Sequence, residues 1–251
     1  MKNIENLCDI FSSKAHVLEF LSEKISESKI EKIMYFSIFE WNKNHHVILD
    51  KISKNFSSEL VIIRSSAMGE DSIFKSEAGN YLSLQKIDSS SKQKLSSSIT
   101  QIIKSYLNKG NKNTKNQILI QKQASNIITS GVIFTKSINV GLPYYVINYD
   151  DGKNTDSVTK GMVGNTVKFF RYVKHQKIPS KWKQLIRAVK EIEKIIGSDL
   201  LDIEFGINNN NKIIIFQVRP LTSTKHYEIQ NLKNKSRKLL DKNKKYFLKL
   251  Q

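Results

Sequence analysis

The segment LLDIEFGINNNNKIIIFQVRP, residues 200–220, predicts a β-hairpin. Two runs rich in Ile, Phe and Val flank four asparagines at 208–211, and asparagine favours turns. With the asparagines as the turn, Asp202 is expected opposite Gln217. Side chains two positions apart on a strand share a face, so one face of this hairpin is polar and the other apolar. The polar face comprises Asp202, Glu204, Gln217 and Arg219, and the apolar face comprises Leu201, Ile203, Phe205, Ile214, Phe216 and Val218.

The polar face combines two carboxylates, a carboxamide and a guanidinium, a set suited to a metal and a phosphate. Mg²⁺ in proteins usually takes one or two carboxylates together with substrate phosphates. An arginine beside them can neutralise the charge of a phosphoryl group. Asp202 and Glu204 are therefore candidate metal ligands. The alternative interpretation is a ladder of ion pairs on a solvated surface.

Arg64 marks a second candidate feature, because it ends the apolar run LVIIR at residues 60–64, which predicts a buried strand. Small and acidic residues follow it, and small residues let backbone N–H groups approach phosphates. They are Ser65, Ser66, Gly69, Glu70, Asp71, Ser76 and Gly79. The alternative interpretation of this segment is a polar loop with a salt bridge.

Lys14 is a third candidate, because it lies in the first turns of a predicted helix and could reach a phosphate. The alternative interpretation is that Lys14 is an ordinary solvated lysine.

Composition restricts the class of protein. The chain has 251 residues, 39% of them hydrophobic, which is enough for a sizeable core. Its 41 Lys and Arg against 23 Asp and Glu give a formal net charge of +18. Only five of these basic residues are arginine, the side chain favoured for recognising bases and phosphates, so nucleic acid is an unlikely partner. The chain contains neither a long apolar span nor a signal-peptide pattern, which predicts a cytoplasmic protein that does not engage a membrane.

The order of elements predicts an α+β protein with two lobes. Helices are expected at 12–24, 44–56, 90–107 and about 183–196. Strands are expected at residues 60–66 and 81–87. Further strands are expected to begin at residues 118, 130, 143 and 166, and the predicted hairpin supplies two more. We expect a first lobe at 1–115 with the Arg64 strand, a second lobe at 116–225 with the hairpin, and a basic helical tail or linker at 226–251.

Three segments together resemble a known family. They are LVIIRSSAMGEDSIFKSEAGNYLSL at 60–84, ILIQKQASNIITSGVIFT at 118–135 and LDIEFGINNNNKIIIFQVRPLT at 201–222. In this order they resemble the signatures of the nucleotide-binding domain of phosphoenolpyruvate synthase and pyruvate phosphate dikinase. Within that family the chain looks most similar to the L-glutamine kinase-like proteins of capsule clusters. The resemblance implies an ATP-grasp fold, in which two α+β lobes hold ATP between antiparallel sheets.

The resemblance also implies roles for individual residues. Arg64 would contact the ATP phosphates, Asp202 and Glu204 would bind Mg²⁺, and Gln217 and Arg219 would position the nucleotide or the transferring phosphoryl group. The hinge along the adenine would comprise Gln121, Lys122, Gln123 and Ala124. Lys14 aligns with the lysine of the family's Gly-Gly-Lys segment, and Ser12 and Ser13 stand in place of the two glycines.

The activity implied is that of an Mg-ATP-dependent phosphotransferase that passes a phosphoryl group to a histidine on a separate domain. The final acceptor would be L-glutamine or pyruvate. No histidine-bearing or acceptor domain is recognisable in the sequence, so the nucleophile is expected from another segment or chain. Two alternatives remain open: a non-catalytic nucleotide-binding or interaction module, and a basic nucleic-acid-binding protein.

Overall fold

The computed structural model describes residues 7–69, 82–138, 141–152 and 164–221. Its main helices are α1 (Lys14–Ser22), α2 (Ile38–Phe56), α3 (Lys92–Asn108) and α4 (Ser180–Ile196). Its strands are β1 (Ile33–Ser37), β2 (Leu60–Ser66), β3 (Ser83–Asp88), β4 (Gln117–Lys122), β5 (Ile127–Phe134), β6 (Tyr144–Asp150), β7 (Asn165–Phe170), β8 (Leu201–Asn208) and β9 (Ile213–Pro220). A 3₁₀ turn lies at His175–Lys177.

The first sheet has four strands in the order β1-β4-β2-β3, and all its pairs are antiparallel. Helices α2 and α3 pack against it through a cluster of buried side chains that includes Phe56, Ile63 and Ile120. Residues that alternate with these on β2 and β4 point to the other face of the sheet. Arg64 and Gln121 belong to that other face.

The second sheet has five strands in the order β7-β6-β5-β8-β9, again all antiparallel. Helix α4 carries an apolar stripe, with Leu185, Val189 and Ile192 fully buried, and packs with α1 over one face of this sheet. The same cluster includes Leu119 of β4, so the two sheets are joined by continuous packing. The α+β prediction is confirmed, with helices packed beside two antiparallel sheets.

The register of the hairpin differs from the sequence prediction. Asp202 pairs with Arg219, and Glu204 pairs with Gln217. Pairing shifts by one residue between Glu204 and Phe205, which is the signature of a β-bulge that places an extra residue, Phe216, on β9. The predicted pairing of Asp202 with Gln217 is therefore wrong. On the apolar face, the residues of β9 that join the core are Ile213, Ile215 and Val218, instead of Ile214, Phe216 and Val218.

Helix α2 begins earlier than the sequence prediction of residue 44. A capping box starts it at Ser37, whose hydroxyl accepts from the backbone N–H of Glu40 while the Glu40 carboxylate accepts from the backbone N–H of Ser37. Asn44, at the expected start, lies inside the helix and has non-helical angles (φ −143°, ψ 43°), which mark a kink. Residues 42–46 are polar, so the sequence pattern did not predict that the helix extends through them with a kink.

Among the described residues, β4 belongs to the first sheet, between β1 and β2, although it lies after the proposed boundary at residue 115. The division into lobes at 115 and 225 stays a prediction. The described helices include none with the length and apolar character that a membrane span requires.

Candidate active site between the two sheets

Strands β8 and β9 bring two carboxylates against an arginine and a carboxamide. The Asp202 Oδ2 atom accepts from Arg219 Nε at 2.7 Å and lies 2.6 Å from a terminal Arg219 nitrogen. Asp202 is only 5% exposed and Gln217 only 3%. The interpretation of this face as a solvated ladder of ion pairs is therefore wrong, because every paired side chain is at most 16% exposed.

Arg64 reaches this hairpin from the other sheet. One terminal guanidinium nitrogen donates to the Phe216 carbonyl oxygen at 3.0 Å, and the other donates to Gln217 Oε1 at 2.9 Å. The second nitrogen also lies 3.5 Å from Glu204 Oε2. The structure thus brings together five residues that the sequence analysis named. We call Arg64, Asp202, Glu204, Gln217 and Arg219 the junction cluster.

The β-bulge explains how Arg64 makes these contacts. At a bulge one residue leaves the regular ladder, and Phe216 is that residue on β9. Its carbonyl oxygen accepts from Arg64. The neighbouring Gln217 presents its carboxamide to the same guanidinium. The irregularity in β9 therefore lies at the point where the first sheet meets the second.

Lys14 is also buried, at 6% exposed, and its Nζ atom lies 3.4 Å from the Ser65 carbonyl oxygen. Ser65 follows Arg64 on β2, so Lys14 and the junction cluster approach the same strand end. The alternative that Lys14 is an ordinary solvated lysine is wrong. Of the loop that follows Arg64, residues 70–81 lie outside the described part of the chain, and with them Glu70, Asp71, Ser76 and Gly79.

The predicted hinge residues behave differently from one another. Gln121 is 2% exposed, and neither polar atom of its carboxamide has a hydrogen-bond partner among the described residues. The Lys122 ammonium pairs with Glu59, and this hydrogen bond raises the pKa of Lys122 above its ordinary value. Gln123 Oε1 accepts from the backbone N–H of Lys86 at 2.8 Å. The side chains of Lys122 and Gln123 are thus engaged by Glu59 and by the backbone of Lys86. Ala124, half-buried, offers only backbone polar groups.

Sequence reasoning missed two features beside the junction cluster. Gly206 lies two residues after Glu204 and shares its face, and a Cβ atom there would come within 2.6 Å of the Phe216 ring. A glycine inside a strand is the available signal for such a close approach. Ser130 pairs with Gly206, and its hydroxyl is buried without a hydrogen-bond partner in the described structure. Nothing in its sequence context distinguishes Ser130.

The carboxylates of Asp202 and Glu204 supply hard oxygen donors on one face, as a divalent cation requires. Across the described ranges, no three or more His, Cys, Asp or Glu side chains gather into a group that could hold a metal alone. Two carboxylates fit Mg²⁺, which keeps waters or substrate phosphates as its other ligands. The donor set therefore suits a metal delivered with a phosphate ligand.

Comparisons with known proteins bear on the fold. No family model matches the chain, and no curated protein matches it in sequence. Among solved structures, D-alanyl-alanine synthetase A from Vibrio cholerae is similar over 88% of this chain and 58% of its own, with 10% identity and a TM-score of 0.52. The D-alanine-D-alanine ligase from Coxiella burnetii is similar over 88% of this chain and 51% of its own, with 8% identity and a TM-score of 0.50.

The chain has the ATP-grasp fold. Identities of 8% and 10% establish the shared architecture and nothing finer. The chain spans just over half the length of these ligases. The fold expectation that came with the family resemblance is thus confirmed, while the resemblance to phosphoenolpyruvate synthase rests on the three sequence segments.

Proposed function

We propose that this chain binds Mg-ATP between its two sheets and acts as a phosphotransferase that passes a phosphoryl group to a histidine on a separate domain. The observation that carries the proposal is the junction cluster, in which Arg64 of one sheet meets Glu204 and Gln217 of the other. Arg64 and Arg219 contact the two carboxylates there, and the Lys14 ammonium lies against the end of β2 that carries Arg64. Such a set can neutralise the phosphate groups of a nucleotide and hold its metal.

Each member of the cluster has a chemical task in this proposal. Arg64 and Arg219 donate to phosphate oxygens and compensate the charge on the transferred group. Lys14 adds a compact positive charge from α1, and Gln217 fixes the orientation of Arg64. Asp202 and Glu204 would hold Mg²⁺, which when bound would neutralise negative charge on the phosphates.

The nucleotide base is proposed to lie further along the sheets, towards the strand that leads from Gln121 to Ala124. Burying a carboxamide without hydrogen bonds is costly, about 1–3 kcal/mol for each unsatisfied group. Gln121 would recover that energy by donating to and accepting from an adenine edge, as carboxamides do. Phe216, packed over Gly206, offers an apolar surface to the ring.

The resemblance to the phosphoenolpyruvate synthase family supports the choice of histidine as the immediate acceptor and of L-glutamine or pyruvate as the final one. The attacking nucleophile must reach the phosphoryl group in line. We propose that a histidine-bearing domain on another segment or chain supplies it. That domain and ATP are the two partners this function requires.

Calorimetric titration with ATP, with and without Mg²⁺, tests the binding step. We expect wild-type protein to bind ATP in a magnesium-dependent manner and Asp202→Asn to lose most of that dependence, because one oxygen ligand is weakened. Asp199→Asn is the matched control, since Asp199 is half exposed and pairs with Lys136 outside the cluster. Equal magnesium dependence in Asp202→Asn and wild type would reject the metal assignment. Absence of ATP binding in the wild type would reject the proposed function.

The transfer step needs its own measurement. The chain is incubated with γ- or β-labelled ATP and a histidine-bearing domain from the same genome, and acid-labile phosphate on that domain is quantified. Label that appears on histidine and is lost with Arg219→Met supports transfer. Tight ATP binding without label from either position would favour the alternative of a non-catalytic nucleotide-binding module.

A further inference from the structure

Two serines occupy the places where the resembled family has glycines, and both are bonded into a polar network at the start of α1. The Ser12 hydroxyl lies 2.6 Å from His16 Nδ1, and the Ser13 hydroxyl donates to Gln117 Oε1 at 2.7 Å. Gln117 Nε2 lies 3.1 Å from His16 Nε2. Gln117 is 8% exposed and begins β4. It lies 104 residues away from Ser13 in the sequence.

Gln117 controls how the first turn of α1 is capped. The Ser13 hydroxyl accepts from the backbone N–H of His16 at 3.3 Å, and the Ser66 hydroxyl accepts from the backbone N–H of Ala15 at 3.0 Å. Both hydroxyls point their protons at Gln117 Oε1, at 2.7 Å and 3.4 Å. One carboxamide oxygen therefore orients the two hydroxyls that satisfy the helix N–H groups, which otherwise lack intrahelical partners.

The same network includes the ring of His16. Because Gln117 Oε1 accepts from two hydroxyls, its amide nitrogen faces His16 Nε2 as a donor. The two ring nitrogens of His16 are thus both in contact with the network, Nε2 with Gln117 and Nδ1 with Ser12. The network has one consistent set of donors and acceptors, which makes it a rigid attachment of α1 to β4.

Lys14 lies inside this network, between Ser13 and Ala15. The backbone N–H of Gly69 donates to the Ser12 carbonyl oxygen at 2.9 Å, and Lys14 Nζ reaches the Ser65 carbonyl oxygen. The end of β2 and the start of α1 are thus held at a fixed separation on both sides of Lys14. We infer that Gln117 is a positioning residue for Lys14, acting through the hydroxyls of Ser13 and Ser66. That this positioning serves ATP binding rests on the proposed function. The effect of Gln117 on Lys14 can be tested without nucleotide.

The substitution Gln117→Leu keeps the volume and removes both hydrogen-bonding atoms. Lys14 reactivity is measured by pulse acetylation with acetic anhydride and peptide mass spectrometry on the full chain. Because Lys14 is only 6% exposed, we expect slow modification in the wild type. In the variant the rate should rise about tenfold or more, the factor that corresponds to about 1.4 kcal/mol. The dissociation constant for ATP should rise by a similar factor.

Tyr145→Phe is the control for general loosening of the fold. It removes a buried hydrogen bond to Glu193 at 3.0 Å, on the α4 side of the second sheet. It should lower stability without changing the Lys14 rate. A Lys14 rate that is unchanged in Gln117→Leu, or raised equally in Tyr145→Phe, would overturn the inference.

A double substitution tests the route through the hydroxyl. If Gln117 acts through Ser13, the double variant Gln117→Leu/Ser13→Ala should acetylate at Lys14 about as fast as the faster of the two single variants. Fully multiplicative effects of the two substitutions would show independent roles and reject the route. If the wild type binds no ATP, the proposed function fails, whereas the acetylation result still decides the role of Gln117.

Discussion

Replacing Arg64 by methionine is the most direct test of how the two sheets are held together. The substitution keeps most of the aliphatic chain and removes the two hydrogen bonds to the Phe216 carbonyl oxygen and Gln217 Oε1. It also leaves the Glu204 carboxylate without the guanidinium 3.5 Å away. Because the Glu204 side chain is only 15% exposed, water can compensate only part of this loss.

The expected cost follows from these contacts. Removing one partner of a buried ion pair costs about 3–5 kcal/mol. The 3.5 Å separation and the partial exposure of Glu204 place this case at the lower end, about 3 kcal/mol with the hydrogen bonds included. For a protein of this size about 2–4 °C of Tm corresponds to each kcal/mol, so Tm should fall by about 6–12 °C.

Urea denaturation of four proteins measures the coupling: wild type, Arg64→Met, Glu204→Gln and the double variant. Once Arg64 is absent, Glu204→Gln removes an unpaired charge, so it should cost about 1–2 kcal/mol less than in the wild type. Arg187→Met is the matched control, because Arg187 is 52% exposed and its partner Glu27 lies 3.7 Å away. Exposed pairs of this kind contribute about 0–1 kcal/mol. Equal effects of Arg64→Met and Arg187→Met, together with full additivity in the cycle, would refute the reasoning.

Two further predictions concern local features of the fold. Gly131→Ala should lower the free energy of unfolding, measured in urea, by at least about 3 kcal/mol, because its Cβ would lie 2.2 Å from the Asn148 carbonyl oxygen on β6. Gly152→Ala is the control and should be close to neutral, because a Cβ there would make only ordinary contacts. Backbone and hydroxyl hydrogen bonds from Ser37 lower the pKa of Glu40 below 4.5, so its contribution to stability is present above about pH 4.5 and lost as pH falls through the folded-state pKa. The difference in urea midpoint between wild type and Glu40→Gln should therefore shrink from pH 7 to about pH 3, and a constant difference would contradict the capping role.

The sequence predicts the polar face of the hairpin because period-two alternation survives wherever pairing is regular. Asp202, Glu204, Gln217 and Arg219 all lie on the strand segments before the bulge on β8 and after it on β9, so their shared face is preserved. The core positions of β9 beyond the bulge were displaced by one residue. A run of four apolar residues, 213–216, gives no sign of which member leaves the ladder, since each would suit the core equally well.

The contacts that complete the site lie beyond any local pattern. Gln117 lies 104 residues from Ser13, and Arg64 lies 153 residues from Gln217, so only the folded topology brings each pair together. A glutamine at the start of an apolar strand and a serine before a helix each have ordinary local explanations. The sequence could suggest that Arg64 and Lys14 bind phosphate, but it could not show that β9 contacts Arg64 or that Lys14 lies against the end of β2.

The pairing of Arg219 with Asp202 and of Arg64 with Glu204 also bears on how magnesium and ATP would bind under the proposed function. Charged groups removed from water require partners, and in this structure the two arginines pair with the two carboxylates. ATP bound without a metal would draw the arginines towards its phosphates and leave two carboxylates facing the same negative charge. If metal and nucleotide bound together, the carboxylates would be free to hold the cation and the arginines to donate to the phosphates. The proposal therefore requires that magnesium and ATP bind with strong positive coupling, so independent binding of the two in calorimetric titrations would argue against this exchange.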